Sequence, residues 1–334
     1  MMSRMAARLK PNPYVLALLL TAAVAAILPA RGGYAIGLDH AVTVAIGLLF
    51  FLYGARLPGG AAWEGIRHWR LHGVILLSTF VLFPLLGLAC AVLVPAVLPQ
   101  PLYLGLLFLC VLPSTVQSSI TFTSIAGGNV AAAICAASFS NLLGVLVTPL
   151  LAGWLVSRTT GGFPLDALPE IVLLLLVPFL LGQALRRWVG EWVRRHGKVL
   201  GRMDRCVILG VVYTAFSEGT VGGIWHQLTP VRLLLLLVVS AVLLAIVLAV
   251  TGLLGRWFGF SRPDRIALVF CGSKKSLASG LPMASVLFAG PSAGLLVLPL
   301  MLYHQLQLIA CAWLARRFAA TTPEAEPDVA PASR

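Results

Sequence analysis

The sequence predicts an all-α membrane protein of ten transmembrane helices, and three observations carry that prediction. The chain is 59% apolar and only 10% charged. Its apolar residues come in runs of about twenty, the length that crosses a hydrocarbon layer of about 30 Å at 1.5 Å per residue. Its basic residues stand in the connections between runs and are biased to one side. With a mean hydropathy of +0.96 over 334 residues, the chain has room for about ten spans and little else.

Ended at charges, glycines and prolines, the first five runs fall at 13–30, 38–57, 73–97, 102–125 and 129–157. The other five fall at 168–186, 204–224, 231–255, 264–289 and 293–317. The first follows Arg4, Arg8 and Lys10, as a secretory leader would. Residues Pro29 to Gly33 lack a small-x-small cleavage site, so it is expected to remain a span. Between the runs, Ala61 to His72 and Arg186 to Gly201 mix Trp, Arg and apolar residues at helical spacing and read as short interfacial helices. Residues 1–320 form a single polytopic domain, and 321–334, rich in Pro, Ala and Glu, form a disordered cytoplasmic tail.

Charge orients the spans. With a cytoplasmic N-terminus, only Arg31, Arg158 and Arg232 of the 24 Lys and Arg lie outside. Lys274 and Lys275 lie inside the ninth run, and the other 19 are cytoplasmic. That asymmetry predicts a multi-pass protein of the cell inner membrane with both termini cytoplasmic. The net charge of +13 is spread over these connections, which argues against a nucleic-acid partner. The six cysteines lie in apolar runs without CxxC or Cys/His spacing, so neither a disulfide framework nor a zinc site is expected.

The runs of 13–157 have counterparts in 168–317 about 160 residues later. Five is odd, so a second five-helix copy must enter from the opposite side, which makes an inverted repeat of the kind that alternating-access transporters use. The fourth run carries Pro113 followed by Ser114, Thr115, Gln117, Ser118 and Ser119 at mid-depth. The ninth carries Ser273, Lys274, Lys275, Ser276, Ser279, Gly280 and Pro282 in the matching place. Paired interruptions at membrane depth are tolerated only where they are buried in protein or line a wet cavity, so they mark the solute site. Half-helix N-termini there favour anions, and the two lysines add positive charge. Adjacent residues point about 100° apart on a helix, so one lysine is expected to face the cavity. Two plainer readings stay open: the hydroxyls satisfy the proline kink, or the lysines snorkel to the cytoplasmic interface.

Glu218 is placed in the outer third of the seventh run, as a partner for Lys274, a coupling-ion ligand or an interfacial carboxylate. His304 and Gln305, with Gln307, flank the second half of the site by the repeat logic. The predicted function is a secondary transporter of a small organic anion with an apolar body. Rival readings are a non-transporting regulatory membrane protein of the same fold and an intramembrane hydrolase using a Ser/Lys pair from Ser273 to Ser276. No GxSxG surrounds Ser273 or Ser276, and an HExxH signature is missing from the sequence.

The stretch Leu112 to Leu151, with its GGN turn at Gly127 to Asn129, and the stretch Phe270 to Ala284, with SKKSLA, closely resemble the bile acid:sodium symporter superfamily. The nearer match is its divergent branch of bacterial symporter-like proteins and sodium/bile acid cotransporter seven, over nearly the whole chain. The resemblance implies panel and core domains, with discontinuous fourth and ninth helices crossing in the core. It also implies a sodium site at Ser118, Ser119, Ser138 and Asn141. The carboxylate of a second sodium site has no counterpart: its place falls near Cys271 or Gly272, and the accompanying Gln position falls on Lys275. A lysine there satisfies sodium's oxygen ligands permanently, which points to uncoupled transport, anion exchange or proton coupling through Lys275. No cofactor is expected beyond sodium or a proton as coupling ion.

Overall fold

The computed structural model describes residues 13–56, 68–160, 172–223, 228–288, 290 and 292–321. Among these residues the ordered elements are all helical. Helices α1 (Pro13–Ile27) and α2 (Gly32–Arg56) precede α3 (Trp69–Leu93), which contains a π-helical turn at Ser78–Leu82. Helices α4 (Gln100–Val111) and α5 (Gln117–Ile125) are separated by nonhelical residues 112–116. Next come α6 (Val130–Thr160), α7 (Val177–Arg195), α8 (Gly197–Val221) and α9 (Pro230–Trp257). Helices α10 (Arg262–Gly272) and α11 (Leu277–Leu287) are separated by nonhelical residues 273–276, and α12 (Ala293–Ala320) completes the order.

Among the described residues, six helices are long and apolar enough to cross a membrane: α2, α3, α6, α7 with its preceding turn, α9 and α12. The chain is therefore a multi-pass membrane protein. Their outward faces carry exposed Leu234, Val238 and Leu253 on α9 and Ile309 and Trp313 on α12, as a lipid-facing surface requires. Arg186 to Gly201 is not a separate interfacial helix: α7 runs to Arg195 and α8 starts at Gly197, with His196 alone between them. Glu191 pairs with Arg194 and Arg195 on the last turns of α7, so the charges are accommodated within one continuous helix. Most of Ala61 to His72, and residues 322–334, lie outside the described residues.

Helix starts follow local chemistry. Thr229 and Ser261 accept hydrogen bonds from the amides of Arg232 and Asp264, with Pro230 and Pro263 in the first turn. Ser276 caps α11 by accepting from the Ser279 amide. Two packing groups result. Helix α2 lies along α7 and α1 along α8; α4 packs on α12, and α10 packs among α3, α5, α6 and α9. Helix α8 also touches α11 and α12, which joins the groups. The α2–α7 crossing depends on two glycines. A Cβ on Gly54 would strike the Phe179 carbonyl, and one on Gly182 would strike the Phe51 carbonyl. Close backbone approach through small residues is the main way helices gain packing energy in lipid. At one end of this crossing Arg56 pairs with Asp204 at 2.6 Å, tying α2 to α8.

Gly182→Leu is predicted to cost upward of about 2 kcal/mol, because the obstacle is backbone rather than a movable side chain. Gly73, with nothing within 4 Å of a built Cβ, is the control. Thermal unfolding in detergent should show a lowered midpoint for Gly182→Leu and none for Gly73→Leu; equal midpoints would refute the close crossing.

Candidate functional site

The two nonhelical segments lie against each other at the centre of the second group. The Ser276 amide donates to the Pro113 carbonyl at 2.9 Å, and Ser114 Oγ donates to the Cys271 carbonyl at 2.6 Å. Each segment thus caps the end of the helix that leads into the other. A helix end leaves its last carbonyls unpaired, and in an apolar interior each one needs a partner.

The accounting at the end of α4 is complete from Leu109 to Ser114. Leu109 O accepts from the Leu112 amide, and Val111 O accepts from Thr148 Oγ1 at 2.8 Å. Pro113 has no N–H, and the Ser114 amide is diverted to Ser140 Oγ at 3.0 Å, so Cys110 O loses its helical donors. Lys275 replaces them. Its Nζ donates to Cys110 O and Leu112 O, each at 2.8 Å, and Asn141 Nδ2 donates to Ser114 O at 2.7 Å.

The third Lys275 bond, also 2.8 Å, goes to Thr79 O on α3. That carbonyl is free because of the π-helical turn: the Phe83 amide, its ordinary donor, bonds Ser78 O instead, and the next residue is Pro84. All three ammonium protons are thereby used. The Phe83 ring lies 4.0 Å from Nζ and closes the remaining side.

The end of α10 is satisfied from other directions. Ser273 Oγ donates to Val269 O and Ser119 Oγ to Phe270 O, while Tyr303 Oη on α12 donates to Ser273 O. Gln307 holds the Lys275 backbone on both sides, accepting from its N–H and donating to its C=O, each at 2.9 Å. Gln307 Nε2 also donates to His304 Nδ1, which places His304 behind the site. The Gln305 side chain makes no hydrogen bond among the described residues, and the residue is only half buried.

The hydroxyl groups divide into two sets. Thr115 Oγ1 is 2.8 Å from Ser118 Oγ and 3.2 Å from Ser119 Oγ, at the start of α5. Asn141 links the other set, accepting from Ser279 Oγ at 2.9 Å, while Ser276 Oγ donates to Ser279 Oγ. Ser138, one turn before Asn141 on α6, is buried. Gln117 is exposed beside the first set. No hydrogen bond among the described residues joins Ser118 or Ser119 to Ser138 or Asn141.

The expectation that one lysine faces a cavity needs correction, since Lys274 and Lys275 are both fully buried. The cause is that residues 273–276 leave the helix, so the 100° rule for helical neighbours does not govern them. Lys274 Nζ shares none of Lys275's carbonyl partners and lies 3.9 Å above the Phe122 ring. Glu218 does not reach it; its interactions are with the Gly290 backbone and the Asp39 side. Nor is a Ser/Lys nucleophile pair assembled, because Ser273 and Ser276 bond Val269 O and Ser279 Oγ.

The chain matches the model of the SBF-like CPA transporter family over residues 12–320. It belongs to that family. Relatives include protein PA2026 of Pseudomonas aeruginosa, 52% identical over 97% of this chain and 98% of that one. Another is the Escherichia coli protein named "Putative symporter YfeH", 49% identical over 94% of each chain. "Sodium/bile acid cotransporter 7" of Xenopus tropicalis is 30% identical over 90% of each. Family and relatives are those of a transporter, so the chain is a symporter-like membrane protein with a small-molecule solute as its partner.

As a family member, the chain departs from the sequence expectations in what supports the site. Thr79, Cys110 and Leu112 contribute backbone carbonyls, which leave no trace in residue type. Gln307, Tyr303, Ser140 and Thr148 come from other helices. Pro84, one turn after Thr79, was the readable signal of an interrupted ladder in α3. Lys275→Met is predicted to strand three carbonyls at about 1–3 kcal/mol each, enough to lose most folded protein. Gln307→Ala should cost less, and Lys198→Met on the exposed start of α8 should cost nothing measurable. Size-exclusion profiles of the three variants from one membrane preparation check this order.

Proposed function

We propose that the protein is an alternating-access carrier of a small organic anion, in which Lys275 stands permanently where a coupling sodium ion would sit. The observation that carries this reading is the ammonium itself, held at 2.8 Å by three carbonyl oxygens. An all-oxygen backbone cage freed by helix interruptions is the usual means of coordinating a small cation in such carriers. A covalently attached cation fills it without being exchanged, so transport runs without sodium at that position.

In this reading the chain crosses the membrane ten times as two inverted five-helix halves, 13–157 and 168–317, with both termini cytoplasmic in the inner membrane. Helices α4/α5 and α10/α11 are the two discontinuous, crossing spans. The group α1, α2, α7 and α8 forms a panel that moves against the remaining core. The starts of α5 and α11 turn their positive ends toward the crossing, and two lysines add charge, which favours an anion. Gln117, Ser118 and Asn141, exposed or half buried beside the crossing, would meet its polar part. The hydroxyls of Ser118, Ser119 and Ser138 with Asn141 remain the place for a sodium ion, should one bind, and a proton is the alternative coupling ion.

Currents on solid-supported membranes, with jumps of an organic-carboxylate panel in sodium or choline, test the proposal. Equal saturable currents in both media are expected. Currents confined to sodium would overturn the fixed-cation reading. Folded proteoliposomes silent to the whole panel would overturn the organic-carboxylate carrier and favour a regulatory role. Thermal stability should likewise be the same in sodium, potassium and choline at constant ionic strength; a saturable sodium-specific rise lost in Ser119→Ala would restore sodium binding.

A further inference from the structure

Lys274 and Lys275 are neighbours in sequence but not in chemistry. Lys275 uses every donor it has, whereas Lys274 Nζ is the only lysine or arginine nitrogen among the described residues that is buried without a hydrogen-bond partner. Its surroundings are Phe122 at 3.9 Å and Phe270 at 5.6 Å by ring centroid, with Cys271, Cys311 and His304 nearby and no carboxylate among them. Removing an ammonium from water costs several kcal/mol, and a cation–π contact returns about 0.5–2. A methionine would fill the same apolar space without that deficit. The position is therefore poorly explained by packing, and the ammonium lacks a partner of opposite charge.

The route by which a partner could arrive runs past Phe122. Of the two rings around Nζ, Phe270 is wholly buried and Phe122 is half buried. Phe122 sits on α5, whose exposed side chains are Gln117, Thr121 and Ser124 on successive turns, with Ile125 at its end. Three polar side chains in line at membrane depth suit a wetted surface and not lipid. Helix α5 packs on α6, α10 and α12, which leaves that face open.

We infer that Phe122 is a shutter over Lys274, and that the ammonium beneath it pairs with the carboxylate or sulfonate head of the solute when the ring is displaced. The inference rests on the carrier reading and divides the lysines: Lys275 completes the scaffold, and Lys274 presents the charge that selects an anion. While the ring covers Nζ, the cation–π contact holds the charge in place of the solute. The anion then exchanges one favourable partner for a stronger one, and Phe122 returns when it leaves.

The chain has only four lysines, Lys10, Lys198, Lys274 and Lys275, so mass spectrometry can follow each one separately. The test treats the protein in nanodiscs with sulfosuccinimidyl acetate, an amine-acetylating organic anion. Phe122→Ala and Phe122→Leu are compared with the natural chain, so that one folded variant suffices. Lys274 acetylation should accelerate by about tenfold or more, the factor that ~1.4 kcal/mol of lost protection represents, while Lys275 and Lys198 stay unchanged. Benzoate should slow the Lys274 reaction more than chloride at equal ionic strength. Unchanged Lys274 rates in folded variants, parallel acceleration of Lys275, or equal effects of benzoate and chloride would each overturn the assignment. Labelling needs no transport, so a failed carrier would appear as correct labelling without currents, and a failed shutter as currents without the labelling change.

Discussion

Pairing of backbone carbonyls in a medium without water is the constraint on which this structure depends. A helix interrupted at membrane depth exposes carbonyls that cost several kcal/mol each if left alone. Here the two interruptions are placed so that each supplies donors to the other, through the Ser276 amide to Pro113 O and Ser114 Oγ to Cys271 O. Of the other freed carbonyls, side chains such as Thr148, Asn141 and Tyr303 meet some, and one ammonium, Lys275, meets three and ties α3, α4 and the α10–α11 segment into a single unit. The crossing is thus a mutual solution: neither break is stable without the other half of the chain.

The same constraint accounts for an irregularity elsewhere. The π-helical turn in α3 shifts the Phe83 amide to Ser78 O, and Pro84 cannot replace it. Taken alone, the turn would leave Thr79 O stranded; with Lys275 beside it, the turn becomes a ligand. A π-helical turn in a third helix therefore completes the cage, and its Phe83 ring closes the cage's open side. Oxygen cages of this kind ordinarily serve a bound cation, and here the Lys275 ammonium occupies one.

Charge makes the site asymmetric. The crossing concentrates two ammonium groups and two helix N-termini with no carboxylate bonded to either lysine among the described residues. One ammonium is fully neutralised by dipoles, and the other is covered by an aromatic ring. That is the physical ground of the proposed anion reading: an unpaired positive charge beside the apolar rings of Phe122 and Phe270.

The sequence by itself determined the membrane class, the helical content and where the interruptions fall. Each of these follows from local chemistry: apolar runs long enough to span, and Pro113 and the polar residues Ser273 to Ser276 interrupting two of them. It also singled out Ser114, Ser119, Lys274 and Lys275 by their polarity inside apolar runs, while Asn141 was implied by the family resemblance. Only the tertiary structure decided what those groups touch. Lys275 meets carbonyls of Thr79, Cys110 and Leu112, and every residue type has a carbonyl, so no pattern could announce them. The unequal fates of two adjacent lysines, and the choice of Gln307 over Gln305, depend on backbone directions in a nonhelical segment. Those directions are set by helices more than 150 residues apart packing together, a long-range fact that hydropathy and spacing do not encode.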